Sequence, residues 1–340
     1  MVRPGLLIVF AALLAGLTGA PAPATQSQTL SAIDDYPLGG DASRYDYQSF
    51  DAASNRLYIA HLGAGVLRVF DTQAHTVVGT VAGLPGIHGV IAVPETGMVY
   101  ATATSAHSLA AIDSATLTIT AMIPAGDFPD GVAYAPTVGK LYVSDLRGGN
   151  DVVIDAASNA VVTTISLGGE AGNTQFDTAS GHIFVAAQGA RQVAEIDPAT
   201  DTIVGRYDTP GCVDPHGLAV DASRQLAFVA CEGNDRLLVM DMQTKSFTNS
   251  YATGHVPDVL ALDAKEGLLY VAAEDGVLSG FRIDDSIRGQ LNLAIQSLVG
   301  PNAHSVAVDT NTGHIFLPTV DTHGVSVLRE MIVENLVAHD

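Results

Sequence analysis

The stretch KLYVSDLRGGNDVVIDAASNAVVTTISLG, residues 140–168, holds three short apolar runs separated by turns rich in Gly, Asp and Asn. Short runs of β-branched and aromatic residues between such turns read as strands rather than helices. Its aromatic residue, Tyr142, recurs as Tyr58 in RLYIAH, Tyr100 in MVYATA, Phe184 in HIFVAA, Phe228 in LAFVAC, Tyr270 in LLYVAA and Phe316 in HIFLPT. Successive spacings are 42, 42, 42, 44, 42 and 46 residues. Each copy has an apolar run before it, such as GLAVD (217–221), and another after it, such as RLLVMD (236–241). A fourth often follows a D-x-x-T turn, as in DPATDTIVGRY (197–207). Four short strands per repeat of about 40 residues predict an all-β, seven-bladed β-propeller with four-stranded blades. One blade cannot bury both of its faces, so the seven must stack around an axis.

Closing the ring requires one more strand, because an open ring would expose sheet edges. LSAIDDYPLGG (30–40) matches the outermost strand VVTTISLGG (161–169) and has no blade of its own. This N-terminal strand is expected to complete the seventh blade, whose other strands come from about 304–329. The terminal EMIVENLVAHD (330–340) competes for that place or adds an extra edge.

Composition agrees with many short strands: 47% hydrophobic residues, 34 glycines, no Trp and only 6% aromatic residues. The net charge of −21, from 36 acidic against 15 basic residues, disfavours nucleic acid and anionic membranes as partners. Cations are the natural counterparts, although excess acid also serves solubility. Residues 1–24 read as a secretory signal peptide: Arg3, the apolar LLIVFAALLAGL (6–17), and Ala22 and Ala24 in an A-x-A cleavage pattern. The apolar run is too short for a comfortable membrane span. The expected mature chain, 25–340, is a single propeller domain, periplasmic or secreted, with no membrane span after processing.

The repeat LYVSD…VVIDAASNAVVTTISLG resembles the YVTN repeat, and the mature chain resembles the YVTN-repeat (YncE-like) seven-bladed propellers of bacterial envelopes. The resemblance implies the fold and another envelope protein as a possible partner. It implies no particular activity, since fold and function separate readily.

Counting twelve residues back from each repeat aromatic gives Asp46, His88, Asp130, Gly172, His216, Asp258 and His304. The first strand of a blade lines the central channel, so these equivalent positions should form a ring at one mouth. Imidazoles and carboxylates facing one cavity suit a divalent metal, zinc above all. The expectation is that His88, His216 and His304 hold the metal while Asp46, Asp130 and Asp258 contribute to ligand binding. An Asp or His opening a strand can equally cap neighbouring backbone N–H groups, the better reading for Asp46 and Asp130 taken singly. The settings GIHGV, DPHGL and NAHSV also resemble those of zinc-binding histidines in peptidyl-hydroxyglycine amidating lyase, another propeller. That resemblance implies a metal seat and not the reaction.

A second column follows the repeat aromatic: His61, Asp145, Glu232 and Glu274. An antiparallel second strand returns these residues to the same mouth. Glu232 and Glu274 are the candidates for a cation-binding carboxylate pair or a general base, whereas His61 and Asp145 read as turn residues facing water. The remaining histidines, at 75, 107, 182, 255, 314, 323 and 339, read as solvated. Cys212 and Cys231 are expected to form a disulfide, with residue 231 opposite residue 216, because an exported chain meets oxidising conditions. A thiolate metal ligand is the alternative.

No G-x-S-x-G elbow, C-x-x-C-H, P-loop or H-E-x-x-H motif occurs, and without Trp a quinone cofactor is not expected; nor is a nucleotide or haem. Three functions remain open. The first is a propeller binding a metal ion or small ligand at a channel mouth lined by His, Asp and Glu. The second is a metal-dependent lyase or lactone hydrolase. The third is a protein-interaction scaffold without catalysis.

Overall fold

The computed structural model describes residues 28–301 and 303–335, so the expected signal peptide and His339 lie outside the described residues. Among the described residues, twenty-eight strands form seven four-stranded antiparallel sheets. Six sheets run in simple chain order; the seventh has the order Gln28–Pro37, Ser326–Asn335, His314–Val320, Ala307–Asp309 from outside to axis. The molecule is a seven-bladed propeller, and the N-terminal strand closes the last blade. Pairing runs from Gln28 opposite Asn335 to Pro37 opposite Val327. Residues 330–335 neither displace that strand nor add an edge. They lengthen the third strand of the blade, and the N-terminal strand pairs along them.

The period of about 42 residues has a packing cause. Tyr58, Tyr100, Tyr142, Phe184, Phe228, Tyr270 and Phe316 are all buried on second strands. Each belongs to an apolar cluster shared with the next blade. Phe228 packs with Leu269, Val271 and Phe281 of blade six, and Phe316 of blade seven packs with Leu57 and Ile59 of blade one. A large ring at the same register of every blade is therefore what glues neighbours, at roughly 150–250 Å² of buried surface per side chain.

The aspartates that recur at strand ends are turn caps. Oδ1 of Asp71 accepts hydrogen bonds from the backbone N–H groups of Gln73 and Ala74, at 2.9 and 2.8 Å. Asp113, Asp155, Asp197 and Asp241 repeat this at the same turn of blades two to five. Much of the negative charge thus secures turns, where a carboxylate satisfies backbone donors that the ladder leaves open.

Cys212 and Cys231 form a disulfide with Cα atoms 5.4 Å apart. A bulge moves the register by one from the sequence expectation, so that Cys231 faces Pro215 rather than His216. The bridge ties the loop before the first strand of blade five to the end of its second strand. Reduction is expected to lower unfolding stability by about 3 kcal/mol, for a closed loop spanning 19 residues. Urea denaturation with and without reductant measures this, and an unchanged midpoint would reject it.

Asp151 breaks the pattern of the interior. The second residue of the third strand is Leu67, Leu109, Val193, Leu237, Leu278 or Val327 in the other blades, all buried. Asp151 occupies that position in blade three, with Thr174 Oγ1 at 3.4 Å as its hydrogen-bond donor. Burial raises its pKa to about 8. A raised folded-state pKa contributes stability that is complete below the unfolded value and lost as pH climbs through the folded value. Stability should therefore fall between about pH 4 and pH 8 on this residue's account. Asp151→Asn should flatten that fall and raise stability at pH 8 by a few kcal/mol, read from melting curves across pH. A variant that keeps the wild-type pH profile would contradict it.

Candidate functional site

The ring residues owe their direction to a break in strand pairing. In blades two, three, five and six the register shifts between Ile87 and Val90, Pro129 and Val132, Pro215 and Leu218, and Pro257 and Leu260. The residues skipped by the ladder include His88, Asp130, His216 and Asp258. A bulge of this kind bends the strand and re-aims side chains, here at the start of the strand nearest the axis. In blades one, four and seven the equivalent Asp46, Gly172 and His304 lie just before the first strand.

Glycines after the ring residues let neighbouring blades approach closely. A Cβ on Gly89 would stand 2.1 Å from the Asp130 carbonyl oxygen, and one on Gly217 would stand 1.9 Å from that of Asp258. Thr102 Oγ1 accepts from Gly89 N–H at 2.8 Å and donates to the Asp130 carbonyl at 3.0 Å. Backbone contacts of this sort fix each ring residue relative to the next.

The side chains meet in a cavity of about 200 Å³, lined by Asp46, His88, Asp130, His216 and Asp258 of the ring and by Glu232 and Glu274 of the second column. His216 Nε2 lies 3.5 Å from Asp130 Oδ2, 3.9 Å from Glu232 Oε1 and 3.9 Å from Asp258 Oδ1. His304 Nδ1 lies 3.9 Å from Glu274 Oε2. Two ligand sets have atoms within 4.8 Å of one another: Asp46, Asp258 and His304, and His216, Glu232 and Asp258. Asp258 is common to both. His88 is in neither set; its Nε2 is 4.0 Å from Asp46 Oδ2. At the ring position itself the fourth blade has only Gly172, where a Cβ would come 2.7 Å from the Cα of His216.

Hydrogen bonds set the imidazole tautomers. His88 Nδ1 is 2.8 Å from the Gly86 carbonyl oxygen, which only an N–H can face. His216 Nδ1 is 3.0 Å from Gln188 Oε1. In the neutral ring each therefore turns its Nε2 lone pair toward the carboxylates, the arrangement that a second-shell partner imposes on a ligating histidine.

Electrostatics make this mouth short of positive charge. Burial, and then Asp130, push the Asp46 carboxyl well above the usual carboxylate range. Burial and Asp46 do the same to Asp258, and burial raises Glu232 against the pull of His216. Burial opposes charge on His216, yet Glu232, Asp130 and Asp258 together outweigh it and raise its proton affinity. His88 moves the other way, because burial dominates there. Asp130 Oδ2 is buried and accepts no hydrogen bond.

Three mouth residues escaped sequence reading. The Arg44 guanidinium binds Glu274 at 2.7 and 2.9 Å and lies 3.8 Å from Asp258. The buried Tyr47 puts its hydroxyl 3.4 Å from His216 Nε2. Gln188 orients His216. Register could have pointed to Tyr47, which stands where blades two, three and five have Gly89, Gly131 and Gly217.

Other expectations need correction. His61 is fully buried rather than facing water; it stacks on Tyr45 with ring centres 4.0 Å apart. Asp145 is buried too, capping the N–H groups of Phe128 and Gly148 at 2.8 and 3.1 Å. His182 and His314 are not merely solvated, since their Nδ1 atoms lie 2.7 and 2.6 Å from the buried Glu195 and Glu330. His107, His255 and His323 are exposed.

No helix among the described residues is long and apolar enough to cross a membrane. No family model and no curated protein matches the chain. Among solved structures it is similar to a chain of hydrazine synthase from Kuenenia stuttgartiensis, at 14% identity and a TM-score of 0.73, over 89% of this chain and 98% of that one. At that identity the likeness is one of architecture alone, and it agrees with the blades described above: the chain is a seven-bladed β-propeller.

Proposed function

We propose that this chain is an exported binding propeller whose mouth holds a divalent metal ion, with zinc best suited to the donors. The observation that carries the reading is the pair of His/carboxylate sets that share Asp258, each with ligand atoms within 4.8 Å. In a tetrahedral zinc site the ligand atoms stand about 3.4 Å apart, so small side-chain adjustments suffice. The orphaned Asp130 Oδ2 and the inward Nε2 of His216 fit the same assignment. His216 and His304 are the nitrogen ligands; His88 sits at the edge, turned to Asp46. Glu232 and Glu274 add carboxylates, and Arg44 supplies counter-charge to Glu274 and Asp258. The disulfide and the YVTN-like repeat support an oxidising, extracytoplasmic location.

Elemental analysis of untagged protein, followed by calorimetric titration of stripped protein with Zn²⁺, tests the reading. Asp258→Asn should weaken binding on the order of 10–100-fold or more, since both sets lose a member. His216→Ala and His304→Ala should weaken it as well, and His182→Ala should leave it unchanged. Asp46, Asp258 and His216 hold protons above their ordinary ranges, so metal uptake must release protons. Affinity should therefore rise with pH. Absence of zinc binding, or wild-type affinity in Asp258→Asn, would sink the proposal.

A further inference from the structure

Two buried glutamates far from each other in sequence are held by the same apparatus. Residues 177–184 read DTASGHIF and residues 309–316 read DTNTGHIF. Phe184 pairs with Glu195 and Phe316 with Glu330 across the second and third strands of blades four and seven. In blade four, Glu195 accepts from Tyr207 and lies 2.7 Å from His182 Nδ1. In blade seven, Glu330 accepts from Tyr36 at 2.8 Å and lies 2.6 Å from His314 Nδ1. Even the tyrosines are equivalent: each stands two residues past the outer-strand partner of its glutamate, Gly205 or Asp34.

The two seams differ in what the next blade contributes. Blade five sends Lys245, whose Nζ donates to Glu195 Oε1 at 2.9 Å and lies 4.8 Å from the centre of the Phe184 ring. The matching residue in blade one is His75. Each is the fourth residue after the aspartate that ends the third strand, Asp241 or Asp71, and each has left-handed φ, 54° or 52°. His75 is shorter. Its Nδ1 stops 3.6 Å from Glu330 Oε2, and its ring leans on Tyr36 at 4.7 Å. Between blades seven and one lies a cavity of about 340 Å³, lined by His75, His314, Glu330, Asn55, Asn311 and Asp309 among others.

We propose that this cavity is a binding site for a primary ammonium group, which donates to Glu330 as Lys245 donates to Glu195. The lining carries acceptors: the buried Glu330 carboxylate, the Asp309 carboxylate, whose Oδ1 takes the Asn311 N–H at 2.8 Å, and the Asn55 side-chain oxygen, which takes Asn311 Nδ2 at 3.3 Å. An ammonium offers three donors and no acceptor, so it matches such a lining. A metal matches less well, because the histidine nitrogens nearest Glu330 face its oxygens, and His314 Nδ1, at 2.6 Å, must carry the hydrogen. Among the described residues, the His/carboxylate sets close enough for one ion lie at the mouth. The ammonium belongs either to a small free amine or to a lysine side chain of another protein. The net charge of −21 attracts both.

The test is an amide-resolved NMR titration of the full mature protein at neutral pH with n-propylamine and, separately, with Nα-acetyl-lysine amide. Saturable shifts around residues 72–76 and 309–316 are expected. Tetramethylammonium, which has no N–H, should not produce them. His75→Lys carries its own ammonium to Glu330 and should reduce amine binding at least tenfold, while Asp258→Asn at the mouth should leave it intact. Binding of both amines supports a site open to a lysine side chain; binding of propylamine alone supports a small free amine. Lack of saturable shifts with either amine in the wild-type protein overturns the proposal. So does undiminished binding in His75→Lys, or a response of these residues to Zn²⁺ alone and not to amine.

Discussion

Everything in this molecule depends on the last blade meeting the first. Each repeat aromatic packs into a cluster that it shares with the next blade, so six interfaces form along the chain and the seventh must be made by its two ends. That interface seats Phe316 against Leu57 and Ile59. The strand Gln28–Pro37 completes blade seven from the other end of the chain, and the Asp35 carboxylate clasps Arg329 through two contacts of 2.6 and 2.7 Å. Closure with main-chain bonds removes the free edge that an open ring would carry. It also brings His304 in blade seven round to Asp46 in blade one, residues 258 positions apart.

The same constraint explains how charge is distributed. Aspartates at strand ends satisfy turn N–H groups, and those such as Asp71, Asp113 and Asp155 stay partly open to solvent, where a carboxylate costs little. Those at the mouth are different. Bulged strand starts and glycine contacts crowd them around an axis from which water is partly excluded, and burial together with neighbouring carboxylates raises the proton affinity of Asp46 and Asp258. One guanidinium, from Arg44, offsets Asp258 and the nearby Glu274. An arrangement that holds several buried carboxylates against inward-facing imidazole nitrogens is costly without a cation, and such costs concentrate at functional sites.

Repetition also makes departures readable. Asp151 stands where six other blades place Leu or Val, and the His75 seam stands where another seam is filled by Lys245. Equivalent backbones with unequal side chains let one blade serve as the control for another. The comparison turns an isolated buried carboxylate or an inter-blade cavity into a specific physical difference.

Spacing by itself determined the blade count and the strand number per blade, because a ring of packed aromatics forces a period on the chain; it left residues 330–340 as a rival for the closing strand, and only the pairing of Gln28–Pro37 with Ser326–Asn335 decided that. The same register located the seven positions at the mouth, since strand-start residues are equivalent whenever blades are. Sequence could not assign the fate of each side chain there. His216 reaches Asp258 and Glu232 while His88 stops 4.0 Å from Asp46, a difference of position that only the folded ring shows. Arg44 and Tyr47 enter the mouth from the segment before Gln48, where the first strand of blade one begins. His61 and Asp145 end second strands, where polar residues usually face water, yet His61 is covered by Tyr45 and Asp145 is drawn in by the N–H groups of Phe128 and Gly148. His182 and His314 find their glutamates on the next strand, and only in the folded seam does Lys245 reach where His75 falls short. Periodicity is a property of one chain read locally; burial, tautomer and the meeting of distant blades come from contacts that exist only once the ring is closed.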